Sequence, residues 1–125
     1  MDIIIYSHPD NPKKNKLLKK ISEFIHPEPV MILDLDRLFH LLRSKMSGRV
    51  IVLFLIRFDQ KLDRLLDYRS SLFNIKSIII LPTNGDVMAA KGLSMKPRYL
   101  SYEQPEFWDV CSAVKKLLKT YSRQP

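Results

Sequence analysis

Seven consecutive apolar residues, Val50-Ile51-Val52-Leu53-Phe54-Leu55-Ile56, stand between Arg49 and Arg57. A strand with one wet face alternates apolar and polar positions. This run does not alternate, so both of its faces are predicted to be covered. Its length suits a strand better than a core helix, and Ser47-Gly48 just before it is a break signal. It reads as the middle strand of a parallel sheet lying between helices.

The rest of the chain repeats a strand–helix alternation. Residues 3–6 predict a first strand, ending in Ser7-His8-Pro9-Asp10. Asn11 can then cap a helix and Pro12 fits its first turn. Leu17, Leu18, Ile21, Phe24 and Ile25 form its apolar stripe, Lys13, Lys14, Lys16, Lys19 and Lys20 its other side, and Pro27 and Pro29 its end. A short second strand is predicted at 30–33. A helix carrying Leu35, Leu38, Leu41 and Leu42 follows, capped by Asp34 or Asp36 and closed by Gly48. After the central strand, Leu62, Leu65, Leu66 and Leu72 mark a third helix, with Asp59 as its cap. A fourth strand is expected at 75–81, a turn at 82–85, a short helix at 86–91 and a fifth strand at 98–101. Pro105 opens a last helix whose stripe is Phe107, Trp108, Cys111, Val114, Leu117, Leu118 and Tyr121. Five strands alternating with five helices, joined by short connections, imply a three-layer α/β sandwich in one domain spanning 1–125.

Composition narrows the chemistry. With 46% apolar and 27% charged residues the chain is an ordinary globular sequence. Its single Cys, Cys111, cannot form an intramolecular disulfide or a Cys-based zinc site, and its helical pattern makes it a buried structural thiol. No stretch approaches the roughly 18 apolar residues of a membrane span. The first residues begin at once as a strand without a basic leader, so a cytoplasmic protein with no membrane association is expected.

The alternation over the whole chain resembles the receiver domain of two-component response regulators, a flavodoxin-like fold with strand order 2-1-3-4-5. The closest local match is Lys91-Gly92-Leu93-Ser94-Met95-Lys96-Pro97-Arg98-Tyr99-Leu100-Ser101, similar to the receiver segment that leads into its fifth strand. The resemblance implies a phosphorylation site at the carboxyl ends of the strands. Two acidic residues would hold Mg²⁺, an Asp would accept phosphate, and a Thr or Ser and a Lys followed by Pro would contact its oxygens. Here the acidic slots hold Ser7 and His8, and the acceptor slot falls at Ile56 or Arg57. Pro82 takes the hydroxyl slot with Thr83 one place late, and Tyr102 and Glu103 take the Lys and Pro slots. Asp10 and Asp59 lie two or three residues beyond the required positions and read as solvated or capping residues. What the resemblance implies is a degenerate pocket of Ser7, His8, Arg57, Thr83 and Tyr102: a pseudo-receiver that is not phosphorylated, is not an enzyme, and signals by protein contact. By the same resemblance, the surface of the fourth helix, fifth strand and fifth helix implies a homodimer contact.

Toll/interleukin-receptor domains share the architecture and are similar in the opening Ile3-Ile4-Ile5-Tyr6-Ser7 and in an aromatic pair like Phe107-Trp108. That resemblance implies a nucleotide-binding or NAD-processing alternative. Its catalytic Glu, expected in the helix after the third strand, has no counterpart, since 59–73 holds Asp63 and Asp67 but no Glu.

No cofactor is expected. The loop 7–12 lacks Gly and carries two prolines, which cannot donate backbone hydrogen bonds to a phosphate. Three glycines, at 48, 85 and 92, cannot make a dinucleotide or P-loop fingerprint. Of three histidines, only His8 lies at a strand end, and no pair is spaced for a metal. The formal charge of +8 is the unusual quantity. Lysines crowd the first helix, and Lys115, Lys116 and Lys119 lie in the last; the two helices should pack side by side. Their joint face, with Lys13, Lys16, Lys20, Lys115 and Lys119, is a candidate docking surface for an acidic protein such as a signalling kinase or regulator. Nucleic acid is the lesser expectation, because the aromatics fall on core stripes rather than beside the lysines.

Overall fold

A computed structural model describes residues 2–26, 28–44, 50–68, 70, 72, 75–82 and 85–122, with the backbone alone at 59, 60, 121 and 122. In chain order the elements are β1 (Asp2–Ser7), α1 (Lys14–Ser22), β2 (Val30–Ile32), α2 (Leu35–Ser44), β3 (Val50–Leu55), α3 (Asp59–Asp67), β4 (Lys76–Leu81), α4 (Asp86–Ser94), β5 (Tyr99–Tyr102) and α5 (Trp108–Ser122). All strand pairs are parallel, in the order β2-β1-β3-β4-β5, a flavodoxin-like arrangement. The predicted middle strand is the middle strand, paired with β1 along Asp2–Ser7 and with β4 from Ile51 to Leu55.

Period-two alternation along buried strands divides the core into two layers. Ile3, Ile5, Ile51, Leu53, Leu55, Ile78 and Ile80 face one side, with Leu17 and Ile21 of α1 and Val110, Ala113 and Val114 of α5. Ile4, Tyr6, Val52, Phe54, Ile79 and Leu81 face the other, with Leu35, Leu38, Phe39 and Leu42 of α2 and Leu62 and Leu65 of α3. Helices α1 and α5 therefore share one face of the sheet, as the sequence predicts. On the opposite face Gly92 brings α4 close to the sheet: a Cβ there would stand 2.9 Å from Leu100 Cδ1.

The differences from the sequence reading lie at element ends. Asn11 does not cap α1; its Oδ1 accepts the Lys13 N–H at 2.9 Å in a turn, and the helix starts at Lys14 with Pro12 outside it. Asp34 precedes α2 and accepts the Asp36 N–H at 3.1 Å, which settles the choice between the two aspartates. The expected closure at Gly48 lies outside the described residues. Phe58, not Asp59, holds the position before α3, and Leu72 is a buried residue beyond that helix. Helix α4 runs three residues further than expected, to Ser94, and β5 is shifted one residue on.

The last helix begins at Trp108 rather than Pro105, because Phe107 adopts a left-handed backbone (φ 51°) that cannot continue a helix backwards. The kink separates the aromatic pair. Phe107 is fully buried beneath α5, whereas Trp108 is 72% exposed and does not belong to the core stripe.

Two substitutions test this core. Phe54→Asp places an unpaired carboxylate between two covered layers, a cost of several kcal/mol against a whole stability of about 5–15. It should yield no cooperatively melting protein by circular dichroism. Phe107→Ala should lose about 3–5 kcal/mol in urea unfolding, while Trp108→Ala should change stability by no more than about 0.5 kcal/mol.

Candidate functional site

The carboxyl ends of β1 and β3 lie side by side, Ser7 opposite Leu55, so the two loops that leave them meet. Ser7 is buried and its hydroxyl donates to the His8 carbonyl at 3.0 Å. That carbonyl also accepts the Asn11 N–H at 3.1 Å, closing a tight turn. His8 Nδ1 accepts the Asp10 N–H at 3.1 Å, which leaves the ring proton on Nε2. The Asp10 carboxylate lies 3.9 Å from the same nitrogen.

Arg57 spans from the β3 loop to the β1 loop, where its Nη1 donates to the Asp10 carbonyl. Its guanidinium carbon also lies 5.2 Å from the centroid of the Phe58 ring. Phe58, 42% exposed, meets His8 edge-on with centroids 5.1 Å apart. Ser7, His8 and Arg57 are thus brought together as a clasp between two loops, with Phe58 as its fourth member. Phe58 is invisible as a site residue in the sequence; an aromatic directly after a strand-end arginine is the only signal it leaves. Tyr102 is not part of the clasp, since its side chain packs against the layer under α2–α4 and no hydrogen bond or ring contact joins it to the other three. Thr83 lies outside the described residues.

This end carries one cation, Arg57, beside one carboxylate, Asp10. Asp10 is an exposed acid there, and among the described residues no group of His, Cys, Asp and Glu is clustered to hold a metal. Asn11 is buried, and with its Oδ1 fixed by the Lys13 N–H, its Nδ2 has no acceptor among the described residues. A buried orphan donor of this kind costs about 1–3 kcal/mol.

The lysine face is less free than its sequence suggests. Glu106, in the loop before α5, receives Lys16 at 3.0 Å and Lys20 at 2.7 Å. The hydrogen bonds from Lys20 and then Lys16 hold its carboxyl down at about 2, and Lys20 is raised in return, first of all by its bond to Glu106. Lys115 lies 4.8 Å over the ring of Phe24, joining α5 to the end of α1. Lys13 has no side-chain partner among the described residues. The loop residue Glu106 is therefore the counter-ion that ties α1 to α5. Other expected groups play no part here: Asp63 is paired with Lys91 at 2.9 Å, His26 and His40 are exposed, and burial raises the Cys111 thiol.

No family model matches the chain, and neither does any curated protein or solved structure.

The Glu106 clamp sets a pH dependence. Folding lowers this carboxyl from 4.5 to about 2. Its contribution to stability is accordingly complete above the ordinary carboxyl range and is lost as pH falls through about 2. The group is half-exposed, so the effect is small and shrinks with salt. Thermal melts of wild type and Glu106→Gln should differ at neutral pH and converge as the solution is acidified toward pH 2. A difference that persists unchanged in acid would mean that the ion pairs are not its source.

Proposed function

We propose that the chain is a receiver-like signalling module that takes no phosphoryl group and works by protein contact, docking an acidic partner on the basic face of α1 and α5. One observation carries this reading: the Arg57 clasp. A phosphoryl switch needs carboxylates to hold Mg²⁺ and a carboxylate to accept the phosphate. At the same strand ends this chain has Ser7, His8 and Arg57, and the guanidinium is committed to the Asp10 carbonyl. Its charge is permanent, so the loops rest in one state instead of alternating between two. A module without a chemical switch is left with its surface, and the surface with an excess of one sign is the lysine face.

Because Lys16 and Lys20 serve Glu106, the docking charges are better sought at Lys13 and Lys19, with Lys115 on α5. Rim charges of this sort govern association rate and salt dependence more than final affinity.

Incubation with acetyl phosphate and Mg²⁺, followed by intact-mass spectrometry, should show no phosphoryl adduct. A stable adduct on Asp10 or Asp59 would overturn the proposal. For the docking face, polyglutamate serves as an acidic mimic and random duplex DNA as the comparison. Lys13→Glu/Lys19→Glu should weaken polyglutamate binding and flatten its salt dependence while moving stability by no more than about 0.5 kcal/mol. Lys16→Glu/Lys20→Glu should also lower the melting temperature, since it sets new carboxylates against Glu106. DNA bound more tightly than polyglutamate at moderate salt would favour nucleic acid instead.

A further inference from the structure

The sheet has an open side at β5, which pairs only with β4 among the described residues. Along that side, between β5 and α5, runs a groove of about 220 Å³ lined by Arg98, Tyr99, Asp109, Ser112, Ala113, Lys116 and Leu117. Ala113 and Leu117 give it an apolar floor, and the 37%-exposed Tyr99 ring gives it a wall. Two exposed cations, Arg98 and Lys116, reach it from the strand and the helix, and neither charged group has a hydrogen bond or ion pair among the described residues. The carboxylate in the lining is partly occupied, since Asp109 Oδ2 accepts from Gln104 Nε2 at 3.1 Å. With two cations against that one carboxylate, the lining carries a net positive charge.

An open strand edge with a side-chain groove beside it fits one occupant, a further strand. We infer that β5 takes an extended acidic peptide segment of a partner protein as a sixth strand, with one acidic side chain of that segment lying between Arg98 and Lys116. Main-chain hydrogen bonds would then supply affinity, and the groove would select side chains at alternate positions. An added strand lies about 4.8 Å from its neighbour and points alternate side chains to the face that carries Tyr99 and α5. An apolar residue on that face meets Ala113 and Leu117, and an acidic one meets the two cations. The groove is distinct from the lysine face, with which it shares α5 but no residue of the proposed docking set.

The probe is a fluorescein-labelled, acetylated hexapeptide Val-Thr-Glu-Thr-Val-Thr, whose valines and glutamate share one face of a strand, titrated by anisotropy against the whole chain. Arg98→Glu/Lys116→Glu should weaken it by about tenfold or more, as expected for two charges facing one carboxylate. Lys13→Glu/Lys19→Glu should leave it nearly unchanged. Replacing alternate residues of the peptide with proline, which removes amide donors, should abolish binding. Amide shift mapping on the wild type should place the perturbed residues at 98–102 and 112–117, a readout that needs no variant. Equal binding of the proline peptide, an undiminished affinity in Arg98→Glu/Lys116→Glu, or shifts confined to α1 would each overturn the inference. So would saturation of the groove by free glutamate at the peptide's own concentration, which would make it a small-carboxylate site. These outcomes are independent of the phosphorylation test, so either proposal can fail alone.

Discussion

The structure depends on one strand being dry on both sides. β3 is buried at every residue from Val50 to Leu55, and Ile56 continues it by donating its N–H to the Ile80 carbonyl at 2.9 Å. A strand in that position must have strands on both edges and helices on both faces, because no side of it can be left to water. β1 and β4 take the edges. Since successive side chains point to opposite faces, Ile51, Leu53 and Leu55 require α1 and α5, while Val52 and Phe54 require the other three helices. Right-handed crossovers then leave little freedom in how the chain connects them.

That core places the carboxyl ends of β1 and β3 together, so whatever follows Ser7 and Leu55 must meet. In a phosphorylatable site the meeting point gathers negative charge and needs a cation from solution. Here the cation is built in. Arg57 bonds a backbone carbonyl of the facing loop, and His8 and Phe58 pack across the same gap. Beyond this clasp, the lysines lie on the helix surfaces.

Those surfaces are not equal. The lysines of α1 look like a uniform basic stripe along the sequence, but Glu106 crosses the seam to take two of them, and Phe24 lies under Lys115. The seam between α1 and α5 is stitched by charge as well as by Leu17, Ile21, Val110 and Val114. On another side of α5, Arg98 and Lys116 line a groove together with Asp109, and among the described residues neither cation is ion-paired. Identical residue types thus have different roles according to whether the fold supplies them a partner.

The layers and the element types are legible in the residues alone, and the shared face of α1 and α5 follows once the strand order is added. The unbroken apolar run at 50–56, the second run at 78–81 and the stripes of the helices carry that information. They do so because removing apolar surface from water is what chiefly drives folding, and its pattern along the chain is local. Ser7, His8 and Arg57 can likewise be placed at strand ends, because strand ends can be counted. Contact between segments distant in the chain is another matter. Nothing local says that Arg57 reaches the Asp10 carbonyl, that Glu106 claims Lys16 and Lys20, or that Tyr102 turns away into the core layer. Element ends are hard to read for a related reason. Asn11, Asp59 and Pro105 are good capping or opening residues, and such propensities are worth only about 1 kcal/mol. The buried fit of Phe107 outweighs that, turning the backbone left-handed and sending Trp108 to solvent.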